Sequence, residues 1–135
     1  MNAVAVDIKD LLVAAGVGVF GAASGWGVYI AVEPVEPDTV VTVYDSGGFA
    51  PQYVMNNTVK PLNHPTVQVR VRGTSYLTAN AKIQEVVTAL DHKTHFNQGG
   101  TRYEAIFRMG DPMFLEKDES DRSIWTVNFH VIRKQ

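Results

Sequence analysis

The chain has 135 residues, a formal net charge of -2 and no cysteine. That length suits one domain with a core of its own, and the absence of thiols excludes a disulfide framework and a thiolate metal site. Lys and Arg are scattered, with no basic run beyond Arg133-Lys134, which excludes bulk nucleic-acid binding.

Val4, Ile8, Leu11, Leu12 and Ala15 repeat at helical spacing while Asp7, Lys9 and Asp10 fall off the stripe, which predicts an amphipathic helix over residues 3–14. Gly16 and Gly18 end it. Leu11 to Val32 carries no charge, is long enough to cross a bilayer, and holds a small-xxx-small spacing from Gly21 to Gly25. Its repeated glycines and few strong aliphatic residues argue instead for a helix end, a glycine-rich loop over 16–26 and a strand. Asp7 and Asp10 offset Lys9 in what would be the basic region of a secretory signal, so the protein is expected to stay where it is made.

Val28 to Val32 predicts a short strand, Glu33 to Asp38 a proline-held turn, and Thr39 to Tyr44 a second strand. So short a connection favours antiparallel pairing of the two. Asp45-Ser46-Gly47-Gly48 is expected to stop the second strand, and residues 48–64 to form a long loop of functional use. Tyr53, Val54 and Met55 within it suggest a short edge strand or an adhesive tip, and the Asn56-Asn57-Thr58 sequon has the look of chance.

The organising unit follows. Val67, Val69 and Val71 alternate with Gln68, Arg70 and Arg72, the period of a half-buried strand that starts just after Pro65. Gly73 breaks it, and Thr74 or Ser75 is placed to cap a helix. Tyr76, Ala79, Ile83, Val86, Val87 and Leu90 then fall at helical spacing, which predicts a helix over 76–90, roughly 22 Å long. Residues 92–100 read as a loop, 101–109 as a strand, Gly110-Asp111-Pro112 as a turn, Met113-Phe114-Leu115 as a short apolar piece and 116–122 as a hairpin tip. Trp125, Val127, Phe129 and Val131 alternate with polar residues in a last strand. The sum is a single α+β domain over 1–135: a mostly antiparallel sheet of about four to five strands with two helices packed on one face.

Chemistry has little to stand on. His92 and His95 would share a metal only if the helix ran through them, and no carboxylate cluster completes the set. Glu116 to Arg122 lacks the central Gly and terminal Glu of a calcium loop. Gly47-Gly48 and Gly99-Gly100 lack the strand-loop-helix setting and the Lys of a phosphate cradle. No nucleophile motif is present, so neither catalysis nor a cofactor or metal is expected. Arg70 and Arg72 stand on a polar strand face, where pairing with a carboxylate is the usual fate and contact with another protein the sharper reading.

Several stretches, in order, resemble the phage minor capsid family that includes tail-terminator and head–tail joining proteins. They are Glu36-Pro37-Asp38 leading into Val43 to Pro51, Pro65 to Gly73, Gly100 to Tyr103, Gly110 to Leu115 and Trp125 to Phe129. The resemblance spans nearly the whole chain, with Gln52 to Lys60 unmatched. It implies a structural virion subunit, made in the host cytoplasm, that assembles as a hexameric ring. The ring caps the tail tube, stops its growth and faces the head connector; the alternative is a neck component beneath the portal. The partners are then the chain itself, the tail tube protein and neck proteins, with no membrane and no nucleic-acid sequence recognition. A ring of copies needs two different patches on one subunit. Arg70, Arg72, Tyr53, Met55, Asp111 and Glu116 are the candidate contact residues. A small metal-binding module using His92 and His95 and a membrane-attached protein using residues 11–32 are the rival readings.

Overall fold

A computed structural model describes residues 1–22, 25–53, 55 and 61–134. In chain order the elements are α1 (Val4–Ala14), β1 (Val19–Phe20), β2 (Gly27–Ile30), β3 (Val40–Gln52), β4 (Leu62–Gly73), α2 (Tyr76–Leu90), β5 (Lys93–Gln98), β6 (Thr101–Arg108), β7 (Met113–Lys117) and β8 (Ser123–Lys134).

The strands form one 8-stranded sheet in the order β1-β2-β3-β4-β8-β6-β5, with β7 paired to β8 beside β6. This corrects the expected sheet of four to five mostly antiparallel strands: it is larger, mixed, and curled into a half-barrel. β1 pairs with β2, and β2 with β3, in parallel. The short Glu33–Asp38 connection does not make a hairpin. It runs back across the sheet as a strap, so that β3 starts at the same end as β2. Arg72 holds the strap there through the carbonyls of Val35 (3.2 Å) and Pro37 (2.6 Å).

Two glycine pairs mark further corrections. Gly47 and Gly48 do not stop β3; they form a bulge, with a register shift between Asp45 and Gly48, and the strand continues to Gln52. Gly48, at φ 142, lies so close to β4 that a Cβ there would stand 2.7 Å from Pro65 Cα. β4 correspondingly begins at Leu62, before Pro65 rather than after it. Residues 48–52 and 62–64 of the expected loop are therefore strand, the outer half of a long β3–β4 hairpin. Val54 and the Asn56-Asn57-Thr58 sequon lie outside the described residues. Gly99 and Gly100, at φ 58 and 77, meet the positive-φ requirement of a type I′ turn and join β5 to β6 as a tight hairpin.

Strand alternation sends Val41, Val43, Val67, Val69, Val71, Trp125, Val127, Phe129 and Val131 into one core. Ile8 and Leu12 of α1 and Ala79, Ile83, Val86 and Leu90 of α2 cover it from the same side. Ser75 caps α2 by accepting from the Thr78 amide at 3.2 Å. Lys82 fastens α2 to the loop after α1, donating to the Val17 carbonyl at 3.0 Å and lying 4.9 Å from the Trp26 ring centroid. The described part of residues 11–32 holds the end of α1, then β1 and β2 with connecting turns, and no helix among the described residues is long and apolar enough to cross a membrane.

Candidate subunit-contact surfaces

The sheet leaves backbone edges open because its flanking strands are short. β2 accompanies β3 only from Val40 to Val43, so the outer half of β3, with Phe49 exposed, has β4 on one side and no described strand on the other. β7 forms another edge. It pairs with β8 alone, and every residue from Met113 to Lys117 is exposed. Its Met113, Phe114 and Leu115, with Tyr76 and Met109 next to them, are exposed large apolar side chains, as is Leu77 one residue on from Tyr76. Tyr76, Phe114 and Trp125 form a triangle with ring centroids 5.1 to 5.6 Å apart. This apolar edge is longer than the expected apolar piece, and its aromatic partners come from α2 and β8, which sequence adjacency does not bring together.

Arg70 and Arg72 share one carboxylate. Arg70 Nε is 2.8 Å and Arg72 Nη1 3.1 Å from the two oxygens of Glu33. Arg70 is partly exposed; Arg72 is 4% exposed and also donates to the Asp38 carbonyl at 3.4 Å. Burial first, and then the nearby Arg122, lower the Arg72 pKa, with Glu33 acting in the opposite direction. Arg122 grips the strap from another strand end, 3.2 Å from Asp38 Oδ1. Tyr53 and Met55 are exposed beyond β3, Asp111 pairs with Arg108 at 3.3 Å, and Glu116 is exposed on β7. The structure thus gathers Arg70 and Arg72 at the strap, Asp111 and Glu116 beside the β7 edge, and Tyr53 and Met55 at the far end of the hairpin.

The two loop histidines do not converge. His95 Nδ1 is 3.3 Å from Glu104, whereas His92 sets its ring against Phe107 at 5.4 Å between centroids. Among the described residues no three His, Asp or Glu side chains are placed to hold a metal ion. The Glu116–Arg122 segment is β7 followed by a turn, closed on Asp118, which accepts from the Ser120 and Arg122 amides at 3.0 and 2.8 Å. A groove of about 400 Å³ between the end of α1 and α2 is lined by Ala15, Val17, Ala81, Gln84, Glu85, Thr88 and Ala89. A titratable pair that the sequence left apart, His64 and His130, meets on the sheet face opposite the helices. Both lie on outward-facing strand positions, but only the β4–β8 register reveals that they are neighbours.

No curated protein matches the chain. Among solved structures it is similar to a chain in the virion of a native gene transfer agent (GTA) particle, with a TM-score of 0.72 and 17% identity over 98% of this chain and 96% of that one. The likeness is one of fold, extending from α1 to the last strand. The family model described as bacteriophage tail terminator protein matches residues 11–135, which takes in every strand of the sheet, both open edges and the strap. On that match the chain belongs to the bacteriophage tail terminator protein family, whose members are structural components of the virion.

Proposed function

We propose that copies of this protein close into a ring, of six by the resemblance, that caps the finished tail tube, stops its growth and presents its other side to the head connector. The match of the family model over residues 11–135 carries this reading. The open edges of β3 and β7 support it, because a closed ring joins two different patches of each copy and exposed strand edges can extend a neighbour's sheet. Arg70, Tyr53, Met55, Asp111 and Glu116 contact neighbouring copies or the tube, and Arg72 contributes through the strap it holds. The chain works in this role without catalysis, cofactor or metal.

Imaging of particles assembled without the protein tests the reading. Overlong tail tubes are the expected outcome. Full heads lacking tails would place the protein in the neck instead.

A further inference from the structure

One cluster of titratable side chains stands apart from the core, beside the open outer edge of β3. It lies on the helix-free face, where the outer ends of β3, β4 and β8 run side by side. His64 Nδ1 and His130 Nε2 are 3.0 Å apart, and His64 Nε2 is 2.9 Å from Gln52 Oε1. The Phe49 ring leans on His130 with centroids 5.1 Å apart. β3 contributes Phe49 and Gln52, β4 contributes His64, and β8 contributes His130. The β3–β4 register slips between Asp45 and Gly48 and again between Phe49 and Gln52. The ladder is therefore weakest where these side chains meet, and they tie down what the backbone holds irregularly.

The donors and acceptors follow from the chemistry of the groups. Gln52 Oε1 only accepts, so His64 Nε2 carries a hydrogen. In neutral His64 the other nitrogen, Nδ1, is then a lone pair, and His130 Nε2–H donates to it. A first proton is tolerated. It occupies His64 Nδ1, which becomes the donor, while His130 shifts its own hydrogen to Nδ1 and accepts at Nε2. A second proton leaves N–H facing N–H between two cations, and the bond cannot exist.

We propose that Phe49, Gln52, His64 and His130 form a proton-released latch, which fastens the outer end of the β3–β4 hairpin to β8 and lets go when both imidazoles are charged. Among the described residues no counter-charge offsets the second proton. The residues facing His130 from its paired strands are Thr66 and Phe107, neither of which is ionisable. On the neighbouring strands Arg108 is 3.8 Å from Asp91 and 3.3 Å from Asp111, Lys134 is 3.9 Å from Glu104, and Asp45 accepts from the Ala5 amide. Arg133 is turned to the other face, toward Tyr103 and the Asn2 carbonyl. Burial first and the charge of His64 second push the His130 pKa below its ordinary value. Release belongs to the second proton, the one that charges His130 beside an already charged His64. Above the ordinary imidazole pKa the latch is closed; below the depressed one the hairpin end, with Tyr53 and Met55 beyond it, is freed from β8. The device stands whether or not the tip meets another copy.

Amide hydrogen exchange on the full chain tests it, at about pH 7.5 and about pH 5, either side of the ordinary imidazole value. After correction for intrinsic rates, the amides of Phe49, Ala50, Gln52, Leu62, Asn63, His64 and Thr66 are expected to lose about tenfold or more of their protection at the acid pH, while Val69 and Val127 keep theirs. His130→Phe, which keeps a ring against Phe49 but cannot charge, is expected to abolish the difference. Equal protection of the wild-type hairpin end at both pH values overturns the proposal, as does an unchanged pH dependence in His130→Phe. Should that variant misfold, an NMR titration of the wild-type imidazoles decides. Two linked steps, the lower one below the ordinary value, support the latch; two independent ordinary titrations overturn it. None of these readouts depends on ring formation, so the latch and the proposed tail-capping role fail separately.

Discussion

Arg72 shows what one buried side chain does for this fold. Its guanidinium reaches three strap carbonyls and the Glu33 carboxylate from a site 4% exposed. Removing it leaves Glu33 to Arg70 alone and the strap to Arg122, so Arg72→Ala is expected to cost about 3 kcal/mol in urea unfolding, the scale for breaking a buried pair. Arg72→Lys should recover little of that loss, because one ammonium cannot serve a carboxylate and several carbonyls at once. Tyr103 plays a comparable part on the opposite face. Its hydroxyl donates to the fully buried Asp7 of α1 and accepts from Arg133 at 3.3 Å. Tyr103→Phe is expected to lower stability by about 2 kcal/mol by leaving Asp7 short of a donor, measured by the same unfolding curve. The valine–arginine alternation made the face of Arg72 legible in the sequence. Its partner was not legible, because Glu33 lies on a connection whose path depends on a parallel crossover.

At the scale of elements, periodicity located what is amphipathic and missed what is not. The stripe from Tyr76 to Leu90 gives α2 its observed limits. Ser75→Ala should cost about 1 kcal/mol by removing the acceptor for the Thr78 amide, read as a lowered melting temperature. β5 escaped because an edge strand with both faces partly exposed shows no alternation of apolar and polar residues. The Gly99-Gly100 turn that makes it a hairpin was in view, but its strands were too polar to announce themselves. β3 was cut short for a different reason. Paired glycines usually end a strand, and only close approach to Pro65 identifies these as a bulge. Gly48→Ala, at φ 142 with no room for a Cβ, is expected to destabilise by about 2 kcal/mol or more and to loosen the hairpin beyond it, detectable as lost amide protection in 49–52.

At the scale of the molecule, the ring reading predicts that some surface changes spare the subunit and spoil the assembly. Met113 of β7 and Leu77, next to Tyr76 on α2, are well exposed. The pair Leu77→Asp and Met113→Asp should leave unfolding within about 0.5 kcal/mol of wild type while lowering the sedimenting size, and an unchanged size would remove the β7 edge from the seam. The ordered run of resembling segments made the family legible before any coordinates. The seam itself was not, since an open edge is a property of what fails to pair. The sequence shows that Met113 to Leu115 is apolar, and only the sheet order shows that its outer side has no described neighbour.

The strap imposes one further condition on the chain. Arg72 and Arg122 grasp it mainly by main-chain oxygens, those of Val35, Pro37 and Asp38, which every residue type possesses. Apart from Glu33 and the Asp38 carboxylate, the identity of its side chains matters little to this grip, while its span between β2 and β3 is fixed to the residue. Related chains should therefore differ freely in the letters of this segment and hardly ever in their number.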